Sequence, residues 1–162
     1  MSNETDILDY LRELDDQGLS IDELAEFNDL ADGFTKTLGL RFTMLNKNEV
    51  RGELPVSAAH LQPSGIVNGG VFSSLAETAG SIAGLIASGG KNVVGVNCNT
   101  DFLAPVAAGV IDLRAEVIRN GTTTQLVAID MFHRDRLVAR STLRTMVLDR
   151  PKKAPKKDKF AE

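Results

Sequence analysis

The chain has 162 residues, 43% of them hydrophobic and 25% charged, with a formal net charge of −4. That length and balance suit one globular domain with its own core. The negative charge, with no helix-turn-helix or zinc pattern, argues against a nucleic-acid partner. No apolar run is read as a bilayer span, which needs about 20 residues. The acidic start MSNETDILDYLREL lacks the basic opening and apolar stretch of a signal peptide. A single cysteine, Cys98, excludes an internal disulfide and a cysteine-built zinc cluster. The expected compartment is therefore the cytoplasm, with no membrane partner.

Residues 1–33 form an acidic N-terminal extension in which Arg12 is the one base. Residues 4–15 suggest a short amphipathic helix with Ile7, Leu8, Leu11 and Leu14 on one side. Ser20 with Glu23 three residues later reads as a capping box, starting a helix with Leu24, Phe27 and Leu30 on its apolar face. From residue 38 the period changes. GLRFTML and EVRGELPV read as strands joined by a turn at Asn46-Lys47-Asn48, and His60 to Gly65 as a loop.

The stretch GIVNGGVFSSLAETAGSIAGLIA, residues 65–87, reads as a glycine turn feeding a long helix, small or apolar on nearly every side and closed by Ser88-Gly89-Gly90. Such a helix is expected to be buried, and its one carboxylate, Glu77, then needs a reason. Ser73, Glu77 and Ser81 recur every four residues and so share one polar stripe. Four strand-like segments follow, VVGVNCNTDFLAPV, GVIDLRAEVIR, TTTQLVAIDMF and RLVARSTLRTMVL, with short connections at Asn120-Gly121 and His133-Arg134-Asp135. The order predicts an α+β domain, one curved antiparallel sheet wrapped around a central helix, over residues 34–150. Residues 151–162 form a basic tail.

Read on their own, these residues leave alternatives open. Gly69-Gly70 at a helix start offers unpaired N–H groups to a carbonyl, but also simply marks a turn. Glu77 serves equally as a base in a pocket or as a surface glutamate. Cys98 suits a buried strand position. No serine sits in a nucleophile elbow, and no His, Asp and Glu cluster argues for a metal.

HLQPSGIVNGGVFSSLAETAGS resembles the signature of the hotdog-fold acyl-CoA thioesterases, in the branch of the phenylacetate-pathway and 4-hydroxybenzoyl-CoA enzymes. NTDFLAPVAAG, RNGTTTQLVAIDMF and RLVARSTLRTMVL continue the likeness over residues 34 to 150. The resemblance implies hydrolysis of an acyl-CoA to a free acid and CoA. It makes Glu77 the nucleophile or general base and the Gly69 N–H the main polarising donor. Gln62 and Ser81 would position the carbonyl or the water. Asn68 stands where the family usually has His; an amide donates a hydrogen bond but exchanges no proton near neutral pH. Gly121, Thr122 and Thr123 match a turn that meets the CoA arm, and Arg150 a basic position for its phosphates. CoA enters as part of the substrate, and no metal or other cofactor is implied. Homodimers or homotetramers with sites between subunits are expected. A non-catalytic acyl-CoA binding module on the same fold is the alternative.

Overall fold

In the computed structural model, residues 7–12 and 14–148 are described. Their helices are α1 (Ile21–Leu30), α2 (Phe34–Leu38) and α3 (Gly69–Ala87). The strands are β1 (Arg41–Leu45), β2 (Glu49–Pro55), β3 (Val93–Phe102), β4 (Val110–Asn120), β5 (Thr124–His133) and β6 (Arg136–Val147). They form one sheet in the order β1-β2-β4-β5-β6-β3, antiparallel throughout. Helix α3 packs against β2 to β6, as expected for a central helix inside a curved sheet.

Alternation along the strands explains which face turns inward. Ile111, Leu113 and Ala115 of β4, and Val127, Ile129 and Met131 of β5, are buried against α3. The outer face is charged: Glu49 lies between Arg51 (2.7 Å) and Arg114 (2.6 Å), and Arg140 forks onto Asp130. Small residues let α3 sit close to the sheet. A Cβ on Gly80 would come within 2.7 Å of the Leu143 side chain, and one on Gly84 within 2.9 Å of Gln125 Oε1. Buried Gln125 donates to the Gly84 carbonyl (3.1 Å), accepts from Thr145 Oγ1 (2.7 Å), and so ties the C-terminal turn of α3 to β5 and β6.

Helix α3 is buried on one face only. Phe72, Leu75, Ala76, Ala79, Gly80, Ala83, Gly84 and Ile86 point into the core, whereas Glu77 is exposed. This corrects the expectation of a buried carboxylate. The sheet wraps one side of the helix, and the small, weakly polar residues of the other side face outward. Among the described residues, α3 is the one helix long and apolar enough to cross a membrane, which the sequence reading had excluded. Its seat on five strands makes it the core helix of this domain.

The N-terminal residues pack onto the domain. Phe27 is fully buried, edge-to-face with Phe42 of β1 at 5.5 Å between ring centres. The capping box is complete: Glu23 N–H donates to Ser20 Oγ (3.3 Å) and Ser20 N–H to Glu23 Oε2 (2.8 Å). The helix expected over 4–15 appears among the described residues only as a 3-10 turn, Asp9–Leu11. Asp15 Oδ1 takes the N–H groups of Gln17 and Gly18, bending the chain toward β1 before a longer helix would end. The short α2 carried no readable period in FTKTL.

Candidate active site at the amino end of α3

The approach to α3 is a tight loop. Leu61 bridges Val67, Gln62 N–H donates to Ile66 O (2.8 Å), and Gly65 turns the chain at φ 80°. His60 anchors it from below. Its buried ring accepts the Ser57 N–H at Nδ1 (3.0 Å), so Nε2 carries the proton and donates to Leu38 O (2.9 Å). His60 is thus structural, a role the sequence left unassigned.

Asn68 is the N-cap of α3: its Oδ1 accepts the Gly70 N–H at 2.8 Å. The side-chain amide nitrogen is then left to donate elsewhere. Gly69 follows as the first helical residue, and its N–H has no acceptor among the described residues. An unpaired N–H at the positive end of a 19-residue helix is suited to an oxygen that gains charge. Beside it opens an apolar pocket of about 500 Å³, lined by Gln62, Ile66, Gly69, Phe72, Phe102 and Leu103 among others. Gln62 borders it, with its amide donating to Ser64 Oγ at 2.7 Å. The pocket therefore brings Gln62 and Gly69 together, with Asn68 capping the helix next to them.

Glu77 lies elsewhere. It is eight residues beyond Gly69, about 12 Å along the axis at 1.5 Å per residue. Its carboxylate accepts from Ser81 Oγ at 3.2 Å and lies against Gly95 of β3, where a Cβ would come within 3.1 Å of Oε1. One turn earlier, Ser73 Oγ donates to Thr100 Oγ1 at 3.3 Å. The polar stripe read from the sequence therefore faces β3. Burial pushes the Cys98 thiol up, the Thr100 hydroxyl opposing this and the Glu77 charge adding to it. Within one chain, Glu77 cannot reach a carbonyl held at its own Gly69. A site using both needs two chains.

The Gly121-Thr122-Thr123 turn lies at the far end of α3, about 28 Å from Gly69 by helix length. Asn120 fixes it there by donating to Ala87 O (2.8 Å), and Gly121 N–H closes it on Thr124 O (3.0 Å). A depression of about 250 Å³ beside it is lined by Ser88, Lys91, Gly121 and Thr122. The sequence reading passed over Lys91, which follows the helix-ending glycines. Arg150 lies outside the described residues.

The sequence profile described as the Thioesterase superfamily matches residues 64–139. The Haemophilus influenzae thioesterase HI1161 is 32% identical and superposes with a TM-score of 0.74 over 84% of this chain and 95% of its own. The chain belongs to the thioesterase superfamily. A Mycobacterium tuberculosis protein, named only provisionally as an esterase, is 37% identical over 121 residues, 72% of this chain and 86% of its own. The proofreading thioesterase EntH of Klebsiella pneumoniae is 36% identical over 89 residues, 54% of this chain and 65% of its own.

The sheet around α3 is the hotdog fold implied by the resemblance. Phe72 and Phe102 both line the pocket beside Gly69.

Proposed function

We propose that this protein is an acyl-CoA thioesterase whose active site is assembled from two chains. The observation that carries the reading is the unpaired Gly69 N–H beside an apolar pocket. In the proposed reaction the thioester carbonyl oxygen accepts from Gly69 N–H and from the Asn68 amide. Glu77 of a second copy takes a proton from water as its oxygen attacks the carbonyl carbon, or attacks that carbon itself to form an anhydride that water then opens. The C–S bond breaks, and the CoA thiolate leaves with the proton. Gln62 holds the carbonyl or the water, and Ser81 holds the Glu77 carboxylate through its hydroxyl. The CoA arm runs toward Gly121, Thr122 and Thr123.

The two sheet edges support the two-chain arrangement. At β1 the outer edge is covered: Asn28 donates to Phe42 O and accepts from Phe42 N–H, and Leu19 N–H donates to Leu45 O. At β3 no such cover exists among the described residues, and Val94, Val96 and Phe102 are exposed along it. An unpaired apolar edge strand is suited to pairing with a second copy. A symmetric pairing there runs the two α3 helices antiparallel, so the Glu77 of each is carried toward the amino end of the other.

A second reading, acyl-CoA binding without turnover, is favoured by Asn68, whose oxygen is committed to the helix cap and which moves no proton. CoA release from aryl, short and long acyl-CoAs separates the two. The thioesterase reading expects turnover that Glu77→Gln lowers by about 10²-fold or more, the usual scale for a general base, with binding retained. Binding without turnover in the wild type, or full activity in Glu77→Gln, contradicts it.

A further inference from the structure

Helix α3 and strand β3 touch at three levels, and these fix one against the other. At the amino end of the helix, a Cβ on Gly69 would come within 2.8 Å of Phe102 Cζ. Two turns on, a Cβ on Gly95 would come within 3.1 Å of Glu77 Oε1. Ser73, midway between Gly69 and Glu77, meets β3 twice. Its Oγ donates to Thr100 Oγ1 at 3.3 Å, and its carbonyl accepts from Cys98 Sγ at 4.0 Å. Thr100 is held from the other side by Ser141 Oγ of β6 at 2.9 Å, a residue only 1% exposed. Ser73 therefore stands over Asn99, the residue between its two contacts. The open edge of β3 also has a defined hydrogen-bonding pattern. Leu103 N–H donates to Val138 O at 2.9 Å. The register with β6 runs unbroken from Phe102 back to Asn97. By alternation Asp101, Asn99 and Asn97 turn their backbone groups to β6, and Cys98, Thr100 and Phe102 turn theirs outward.

We infer that two copies pair through β3 in one register, with Asn99 of each on the two-fold axis. The inference rests on the two-chain reading, in which Glu77 of one copy reaches Gly69 of the other. Antiparallel α3 helices that satisfy this meet at Ser73, the residue midway between those two. The axis relating two antiparallel edge strands is normal to the sheet and passes through a residue that faces its own copy. One axis serves both elements, and beneath Ser73 it meets β3 at Asn99. Cys98 of each copy then exchanges both backbone hydrogen bonds with Thr100 of the other, using the groups that β3 turns outward. Asn99 faces its own copy, and Asp101 faces the amide of Asn97 instead of a second carboxylate. Neighbouring registers are far from equivalent. Moving the axis by one residue shifts the copies by twice the strand rise, about 6.6 Å, and carries Glu77 away from Gly69. The register of β3 is thus what positions the carboxylate of a shared site.

Disulfide trapping on the full chain reads the register without turnover. Cys98 is the single cysteine, so Cys98→Ser gives a background free of thiols. Into it go Asn97→Cys, Asn99→Cys or Asp101→Cys, exposed positions that alternate with the α3-facing Cys98 and Thr100. Facing residues of a non-hydrogen-bonded pair have Cα atoms about 4.5 Å apart, within disulfide range. Under mild oxidation Asn99→Cys should link most chains into covalent dimers. Asn97→Cys and Asp101→Cys should each fail alone, being about 13 Å from their own copies by strand rise. Refolded together, those two chains should link to each other in about half of the dimers. Cross-linking of Asn97→Cys or Asp101→Cys alone overturns the register. So does the absence of links in both Asn99→Cys and the mixture while light scattering shows dimers, and so does a monomeric wild type. CoA release from the wild type is followed separately. The expected links without turnover support the register and sink only the thioesterase reading; a different pattern of links with turnover sinks only the register.

Discussion

Glu77 and Gly95 show how much of this site is decided by single atoms. The carboxylate has room beside β3 because residue 95 has no side chain. The backbone there is already irregular, since the pairing of β3 with β6 slips between Gly95 and Asn97. A methyl group at 95 would press the carboxylate outward by a few tenths of an ångström. Gly95→Ala should therefore lower kcat by roughly three- to tenfold, small displacements of a reacting group being costly, with KM little changed. Steady-state kinetics check this; a loss carried wholly by KM would mean that the methyl group obstructs substrate instead. Ser20 and Glu23 give a second case, with a pH signature. The Ser20 hydroxyl and backbone N–H hold the Glu23 carboxyl below the ordinary carboxylate range. A depressed folded-state pKa gives stability that is present above the unfolded value and lost as pH falls through the folded one. The stability difference between wild type and Glu23→Gln should be constant near neutral pH and shrink as the solution is acidified below the usual carboxylate range. Urea titrations at a series of pH values measure it, and a difference that grows on acidification would contradict the capping role.

At the scale of elements, the sheet has one closed edge and one open edge, and the N-terminal extension makes the difference. Asn28 behaves as a substitute strand, matching both backbone groups of Phe42 at 2.9 and 2.8 Å. Asn28→Ala should cost roughly 1–3 kcal/mol, the range for leaving such groups without partners, read as a lower urea midpoint at constant slope. The strands and α3 were legible because their hydrophobic periods are long and their ends carry Asn-Gly, Pro and Gly-Gly signals. The capping box at Ser20 was legible for the same reason, being a local pattern. Legibility failed where the outcome depended on tertiary packing. The 4–15 segment has a helical period, but among its described residues Asp15 and the pull of Leu11 into the core leave only a 3-10 turn at Asp9–Leu11. The exposure of Glu77 was equally hidden, because its half-buried helix neighbours Ser74 and Thr78 are small enough to pass for a buried side. Asn68 was visible as a departure from the family pattern, but not as a cap. The partner of Gly69, Phe102, lies 33 positions away in sequence, and no spacing rule connects them.

For the whole molecule, the length of α3 imposes the main conclusion. One helix displays the unpaired Gly69 N–H at its start and the Glu77 carboxylate about 12 Å further on, a separation set by helical rise and beyond the reach of a glutamate side chain. In the proposed arrangement two copies joined at β3 resolve this, each lending its carboxylate to the other. Gly69→Pro removes the donor at a position where helices accept proline, and its Cβ also displaces the Phe102 ring of the same chain, 2.8 Å from a Cβ built there. Asn68 before it is already extended, at φ −65° and ψ 138°, as a residue preceding proline requires. The most direct measurement mixes Gly69→Pro chains with Glu77→Gln chains, unfolded together and refolded, and follows CoA release. Each variant alone should be inactive. The mixture should recover about a quarter of the wild-type sites, because half the dimers are mixed and one of the two sites in each is whole. A mixture as inactive as its parents, with wild type active and mixed dimers present, would contradict a site shared between two chains.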